Sequence, residues 1–589
     1  MAQFFKFVFA SMLGTFITLI IGTILFFAII AGIISSASKE KNVQIKDNSV
    51  LVLNFDYDIP ERTPSDPFSD YNYNDLQSKN TVGLNDILSG IKKAKDDPKI
   101  KGIYINSTSV GAGFATVEEI RNALIDFKTS KKFIVAYSEY LTQKGYYVAT
   151  AADKIYLNPV GGLEFKGFGS EIMFLKGALD KLEIEAQVIK VGTYKSAVEP
   201  FILDKMSDAN RTQTMSFLGS MYNHFLAKIG KSRKITTDSL RLIANQLLAQ
   251  SPEDALKLRL VDGLKYKDEI IHHLKAQTKT KSEDDVNVVS LKKYRSSIDE
   301  TGELPSDRIA VVYASGEITG GEGNDNVIGS ERISRAIREV RENDKVKAIV
   351  FRVNSPGGSA LASDVIWREV ELAKKVKPVV VSMGDYAASG GYYISCAANK
   401  IFAQPNTITG SIGVFGIIPN AQKFFNNKLG VTFDGVKTGE HADMGTISRP
   451  LSDSEKLILQ REVNQTYNTF TKKVASGRSK SQSNVDSIGQ GRVWSGTEAL
   501  SIGLVDKIGG LNDAIEEAAK LAKITSYRTV PYPSQKSIFE SFFGNVTDDI
   551  QTSILKKELG PEYKIYEQIK KVSQLKGVQA RMPFEFSVN

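Results

Sequence analysis

Residues 384–391 read Gly-Asp-Tyr-Ala-Ala-Ser-Gly-Gly, GDYAASGG, and how this octapeptide is read decides how the rest of the chain is understood. In front of it lies the apolar run Pro378 to Met383; behind it come Tyr392, Tyr393 and the small-residue stretch Ile394 to Ala398. The first has the composition of a buried strand and the second that of a helix packed through Ala and Gly, which predicts a strand-to-helix turn at Ser389. At such a turn a hydroxyl stands clear of the backbone. The first N–H groups of the helix, starting with that of Gly390, have no partners within it and can face a developing oxyanion. A plain helix cap among packing residues reads from the same letters, so the octapeptide alone leaves both open.

Working outward, the octapeptide belongs to the second of two copies. Writing Lys99 to Tyr156 over Lys345 to Phe402, a constant shift of 246, needs no gap across 58 positions and gives 17 identities. Among them are Ser109 with Ser355, Gly111 with Gly357, Tyr140 with Tyr386, and Gly145-Tyr146-Tyr147 with Gly391-Tyr392-Tyr393. Further on, Ser251, Ala255, Leu256, Leu260, Val261 and Asp262 match Ser495, Ala499, Leu500, Leu504, Val505 and Asp506 at a shift of 244. Both copies alternate strand and helix patterns, so the fold class is a tandem duplication of one layered α/β domain. The copies differ where chemistry would sit. Ser389 corresponds to Gln143, and Ser355-Pro356-Gly357-Gly358 corresponds to Ser109-Val110-Gly111-Ala112. The first half therefore lacks both the hydroxyl and the double glycine that lets backbone N–H groups approach a ligand closely.

The 589 residues are too many for one ordinary core. A hydrophobic fraction of 42%, a charged fraction of 24% and 75 Lys+Arg against 67 Asp+Glu describe a globular protein with interspersed charge. No Arg-rich stripe with aromatics is present, and nucleic acid is not an expected partner. Phe7 to Ser38 holds no charged residue. That run exceeds both the apolar core of a signal peptide and the roughly 20 residues that span a bilayer, which predicts an uncleaved transmembrane anchor. Lys6 on one side and Lys39, Lys41 and Lys46 on the other leave its orientation open. The expected divisions are 1–6 before the anchor, 7–38 the anchor, 48–295 and 308–535 the two domains, 296–307 a polar linker and 536–589 a tail. Tyr57 to Thr81, rich in Pro, Asp, Asn and Tyr, reads as an exposed arm. The single cysteine, Cys396, excludes an intrachain disulfide and reads as a packing residue.

A serine nucleophile needs a base. Of His224, His272, His273 and His441, only His441 lies in a loop of the serine-bearing half. The alternative is a lysine whose pKa is lowered by burial. Lys195, in Val191-Gly192-Thr193-Tyr194-Lys195-Ser196-Ala197, follows an apolar strand pattern and has small and apolar neighbours. Aligning Gly192 with Gly439 puts Ala442 opposite Lys195, so the second half lacks this lysine as the first lacks the serine. One complete site shared between two half-sites is the economical reading, with the imidazole still an alternative.

The set Asn354-Ser355-Pro356-Gly357-Gly358-Ser359, Met383-Gly384, Ala387-Ala388-Ser389-Gly390-Gly391-Tyr392-Tyr393 and Thr409-Gly410-Ser411-Ile412-Gly413-Val414 resembles the signal peptide peptidase A family, the serine peptidases of family S49. The anchor, the length and the duplication resemble its long, two-domain form. The resemblance implies a ClpP/crotonase-like fold in each half, Ser389 as nucleophile and Lys195 as general base. It further implies an oxyanion hole from Gly358, with Gly357 beside it, and Gly390, and Ser411 hydrogen-bonding the lysine. It implies a homotetrameric bowl on the inner membrane of a bacterium, single-pass, with residues 1–6 cytoplasmic and the catalytic part periplasmic. Cleaved signal peptides and other apolar peptides would be its substrates, and no metal or organic cofactor is implied. Two readings from other classes stay open on the sequence: an inactive membrane scaffold, and a crotonase-like acyl-CoA enzyme using the same double-glycine loop.

Overall fold

Two parallel sheets, one per half, carry the architecture of this computed structural model. It describes residues 2–38, 44–64, 71–72, 77–78, 81–281, 283–297, 304–535, 560 and 577–582. The middle of the expected linker (298–303), parts of the arm (65–70, 73–76, 79–80) and most of the tail (536–559, 561–576, 583–589) lie outside the described residues. In the first sheet the strand order is Gly263–Leu264, Lys154–Leu163, Phe133–Leu141, Ile100–Asn106, Ser49–Leu53, Val288–Ser290. In the second it is Val493–Ser495, Ile408–Gly410, Val379–Ala388, Val346–Ser355, Arg308–Ser315, Arg528–Tyr532. Neighbours are parallel except Val493–Ser495, which runs antiparallel to Ile408–Gly410. Helices cover both faces, which is why Val379-Val380-Val381 and Ile103 to Ile105 are continuous buried runs rather than alternating ones.

The duplication is visible in individual hydrogen bonds. Tyr146 Oη donates to Leu260 O at 2.8 Å, and Tyr392 Oη donates to Leu504 O at 2.8 Å. Asp262 accepts from Ile155 N at 2.9 Å, and Asp506 accepts from Ile401 N at 2.8 Å. The strand after which Ser389 falls begins at Val379 and its counterpart at Phe133, the same shift that the sequence gives.

A third sheet joins the halves. Its order is Gly323–Asn324, Val327–Gly329, Glu317–Thr319, Gly357–Ser359, Gln579–Arg581, Val414–Asn420, Glu185–Val191. Glu185–Val191 from the first half pairs antiparallel with Val414–Asn420 from the second, from Val414 opposite Val191 to Asn420 opposite Glu185. The halves also share buried charge. Arg352, fully buried, donates from Nε to Glu61 Oε2 at 2.8 Å, and its Nη1 lies 2.8 Å from Glu119 Oε1. Burial opposes the charge, but the Glu119 and Glu61 carboxylates outweigh it and hold the guanidinium above its ordinary value. Glu61 corrects the expectation of an exposed arm from Tyr57. Residues 57–63 are packed against both halves, with Asp58 bridged to Gly111 and Arg62 Nη1 donating to Pro533 O at 2.7 Å. Within that stretch Glu61 serves a buried partner, while Asp58 stays exposed.

The amino-terminal helix runs Ala2–Ser38, starting before the charge-free run does. Its segment Gln3–Leu25 is long and apolar enough to cross a membrane and is not covered by the rest of the protein, which fits a single-pass anchor.

Candidate active site

The strand Val379–Ala388 ends at Ser389, and the helix Gly390–Ser395 starts behind it. Ser389 has φ 54° and ψ −112°, a backbone conformation that non-glycine residues rarely adopt and that costs on the order of 1–3 kcal/mol. Its N–H is tied to Gly410 O at 2.8 Å, and its side chain makes no capping hydrogen bond to the helix. The reading of Ser389 as an ordinary helix cap therefore fails on geometry: a capping serine sits in extended backbone and spends its oxygen on the helix.

The hydroxyl instead faces a lysine. Lys195 follows the strand Glu185–Val191 and is fully buried. Its Nζ lies 3.0 Å from Ser389 Oγ, 3.1 Å from Ser411 Oγ and 3.5 Å from Ser411 O. The stem passes a wall without side chains. A Cβ on Gly491 would lie 2.7 Å from Lys195 Cα, and one on Gly413 would lie 3.2 Å from its Cδ. Phe415 closes the other side, its ring centroid 5.8 Å from Nζ. Burial pushes the ammonium well below its ordinary value, with no carboxylate acting against it. Ser411 is itself held at φ 48° with its N–H donated to Arg492 O at 2.7 Å, which fixes where its oxygen points.

Beside this pair lie the glycines. Gly357 and Gly358 have φ 99° and φ 155°, and a Cβ on Gly357 would lie 2.8 Å from Gly390 N. The N–H of Gly357 donates to Ser355 Oγ at 3.1 Å. The Gly357 N–H is therefore spent within its own loop.

His441 is not part of this cluster. It is half-exposed, with Nδ1 3.8 Å from Glu455 Oε1, while Ser389 Oγ has Lys195 Nζ and Gly413 O, at 3.3 Å, as its partners. Cys396 is buried, and burial pushes its thiol up to about 12, so it is inert at neutral pH.

Two features carried no signal in the sequence. Asp385, inside the octapeptide, reaches across to the first half, accepting from Ala115 N at 2.9 Å, Thr116 N at 3.0 Å and Thr116 Oγ1 at 2.8 Å. Gly491 lies far from the glycine motifs in sequence and only the folded chain sets it against the lysine stem.

Comparison with known proteins shows the family of the chain. The family model for Peptidase family S49 matches residues 126–281 and 371–525, and that for Clp protease matches 303–409. The chain is 36% identical over 514 residues to Protease 4 of Haemophilus influenzae, covering 84% of this chain and 83% of that one. It is 36% identical over 484 residues to Protease 4 of Salmonella typhi, covering 80% and 77%. It is 33% identical over 516 residues to the chloroplastic serine protease SPPA of Arabidopsis thaliana, covering 86% and 75%.

Proposed function

Because the chain belongs to peptidase family S49, in the long form built from two ClpP-like domains, we propose that this serine peptidase works through Ser389 and Lys195, one residue from each half. The observation that carries the reading is a fully buried lysine with its Nζ 3.0 Å from the hydroxyl of a strained serine. Lys195, kept neutral by burial, takes the proton of Ser389 as Oγ attacks a peptide carbonyl. Ser411 Oγ accepts one N–H of the amine, which turns the nitrogen lone pair toward Ser389. The N–H groups of Gly358 and Gly390 hold the tetrahedral oxyanion, each donor worth roughly 10²–10³ in rate. The lysine ammonium then protonates the leaving amine, and a water activated by the same amine releases the acyl group.

The helix Ala2–Ser38 tethers this site to a membrane, with the catalytic part on the periplasmic side, and suits it to apolar peptides released from the bilayer, cleaved signal peptides among them. The duplication supports assembly into a homotetramer. Residues 432–438 are the second-half counterpart of the lysine strand Glu185–Val191, yet they are exposed and belong to no sheet, with Phe433 and Val436 facing solvent. Their natural partner is 168–174, the first-half counterpart of Val414–Asn420, which is equally without a sheet partner and is available on another copy.

The test is acylation by an apolar peptide ester, measured against pH for the full chain in detergent, alongside Ser389→Ala, Lys195→Ala and His441→Ala. The first two are expected to be silent and the third active, with the rate rising with pH through one ionisation below the usual lysine value. An active Lys195→Ala or a silent His441→Ala sinks the lysine assignment. A parent that acylates on no ester returns the molecule to the scaffold reading.

A further inference from the structure

The first half meets the anchor at the start of its strands. The charge-free helix ends at Ser38, and the ten residues from Lys39 to Asn48 can reach at most about 36 Å. Ser49 then opens the first strand with its N–H donated to Lys99 O at 2.9 Å. The bilayer surface to which the helix leads is thereby held close to one edge of the first sheet, the edge at which its parallel strands begin. The end of the helix Leu84–Asp96 lies at the same edge, because Lys132 Nζ, just ahead of the strand Phe133–Leu141, donates to Ala94 O at 2.8 Å and to Asp97 O at 2.6 Å.

This edge is cationic, and its cations are free. Lys92, Lys93, Lys99, Lys101 and Lys131 are exposed, and none has a carboxylate within ion-pairing distance among the described residues. The neighbouring carboxylates are mostly occupied: Asp126 by Lys95 at 2.8 Å, Asp153 by Lys128 at 2.8 Å, and Asp97 by the N–H of Lys99 and by Tyr294 Oη, both at 2.9 Å. Asp47 and Asp96 are left against the five lysines. The second half treats the same stretch differently. Its counterpart helix Ser330–Glu342 has Glu339 where Lys93 stands, and Arg338 and Arg341, the counterparts of Lys92 and Lys95, donate to Glu369 at 2.7 Å and 2.9 Å. In the first half the position of Glu369 is held by Ala123. Helix cations are thus neutralised in the half without an anchor and left unpaired in the half that carries one.

We infer that the face formed by Lys92, Lys93, Lys99, Lys101 and Lys131 docks on anionic phospholipid headgroups of the leaflet from which the anchor emerges. The inference rests on the membrane-anchor reading of Ala2–Ser38. All five cations are lysines, compact point charges on long stems, which suit lipid phosphates presented in no fixed orientation. A lysine within a Debye length of an anionic surface, about 8 Å at physiological salt, adds about five-fold to the docked population. The anchor makes docking an event within one molecule, so a few such contacts suffice. Docking fixes the tilt of the body over the bilayer, which a single tether leaves free.

The test places the full chain in nanodiscs of phosphatidylcholine alone and of phosphatidylcholine with about 30% phosphatidylglycerol, and acetylates both briefly. Peptide mass spectrometry reads each lysine against Lys423, an exposed lysine of the second half. In the anionic discs the five lysines are expected to react at least about three-fold more slowly than in the neutral ones, and about 0.5 M salt is expected to abolish the difference. The variant Lys93→Gln/Lys99→Gln/Lys101→Gln/Lys131→Gln, changed only at exposed positions, is expected to lose the protection of the remaining Lys92. Lys345→Gln/Lys347→Gln, at the corresponding edge of the second half, is expected to keep it. Equal reactivity in the two kinds of disc, or a Lys92 still protected in the four-fold variant, overturns the inference and leaves the anchor standing. A chain that elutes apart from the discs overturns the anchor reading and takes this inference with it.

Discussion

The turn after Phe133–Leu141 and the turn after Val379–Ala388 occupy equivalent places in the two halves, and their contents are opposite. In the first, Thr142 at φ −69° accepts from Gly145 N in an ordinary helix cap, and Gln143 Oε1 accepts from Lys166 N at 3.1 Å. Lys144, the counterpart of Gly390, fills the space in front of it and donates to Ala112 O at 2.8 Å, Ala112 being the counterpart of Gly358. Burial lowers that lysine's affinity for its proton, while Asp385 acts the other way. In the second, the turn residue is strained, uncapped and faced by glycines, and the volume that side chains fill in one copy is taken by the main chain of Gln579–Arg581 in the other. A duplicated domain thus keeps one copy relaxed and closed and the other strained and open to a main chain. The closed copy contributes what the open one lacks, Lys195 and the carboxylates of Glu61 and Glu119 around Arg352.

The strongest way to break this asymmetry is to remove one member of the pair. Ser389→Ala or Lys195→Ala is expected to lower the acylation rate by about 10⁴-fold or more, as measured in a single turnover, whereas Gln143→Ala in the closed copy leaves it within two-fold. The pH profile sharpens the point. On the proposed Ser389–Lys195 mechanism the neutral amine is the active form and burial lowers its pKa, so activity is expected above the folded-state value and is lost as the pH falls through it. Next in size is Arg352→Met, which leaves two carboxylates buried without their cation and is expected to cost about 3–5 kcal/mol in a denaturant titration. Gly390→Ala puts a methyl where a Cβ would lie 2.7 Å from Ser363 Oγ and 2.9 Å from Ala580 O. About a 10²-fold loss of kcat is expected, with Lys144→Ala in the closed copy as the silent control. The smallest effect belongs to Asp385→Ala, which uncaps the first-half helix Phe114–Phe127 and is expected to destabilise by about 1 kcal/mol, read as a shift in the thermal midpoint. Full stability in that variant would show the two halves to be less coupled than their hydrogen bonds imply.

The sequence announces the repeated domain because strands such as Val379-Val380-Val381 and motifs such as Gly391-Tyr392-Tyr393 recur at one spacing. Ser389 and the Gly357-Gly358 loop are legible for a related reason, since a strained turn and a close backbone approach each restrict which residues can stand there. Lys195 is harder, because its chemistry comes from burial by Gly413, Gly491 and Phe415, and nothing within its own segment specifies them. Glu61 is misleading in the linear chain, where Asp, Pro and Asn neighbours suggest water and the folded neighbour is Arg352. The strand Gln579–Arg581 leaves no trace at all: it is held through main-chain groups, which every sequence possesses.

The ladder between Glu185–Val191 and Val414–Asn420 also sets an order of events during synthesis. The lysine leaves the ribosome more than two hundred residues before its strand's partner, and the glycine at 491 that walls its stem comes later still. If Ser389 and Lys195 are the working pair, as proposed, a nascent chain carries a harmless lysine, then a harmless serine, and has no cutting edge until its second half has closed on its first.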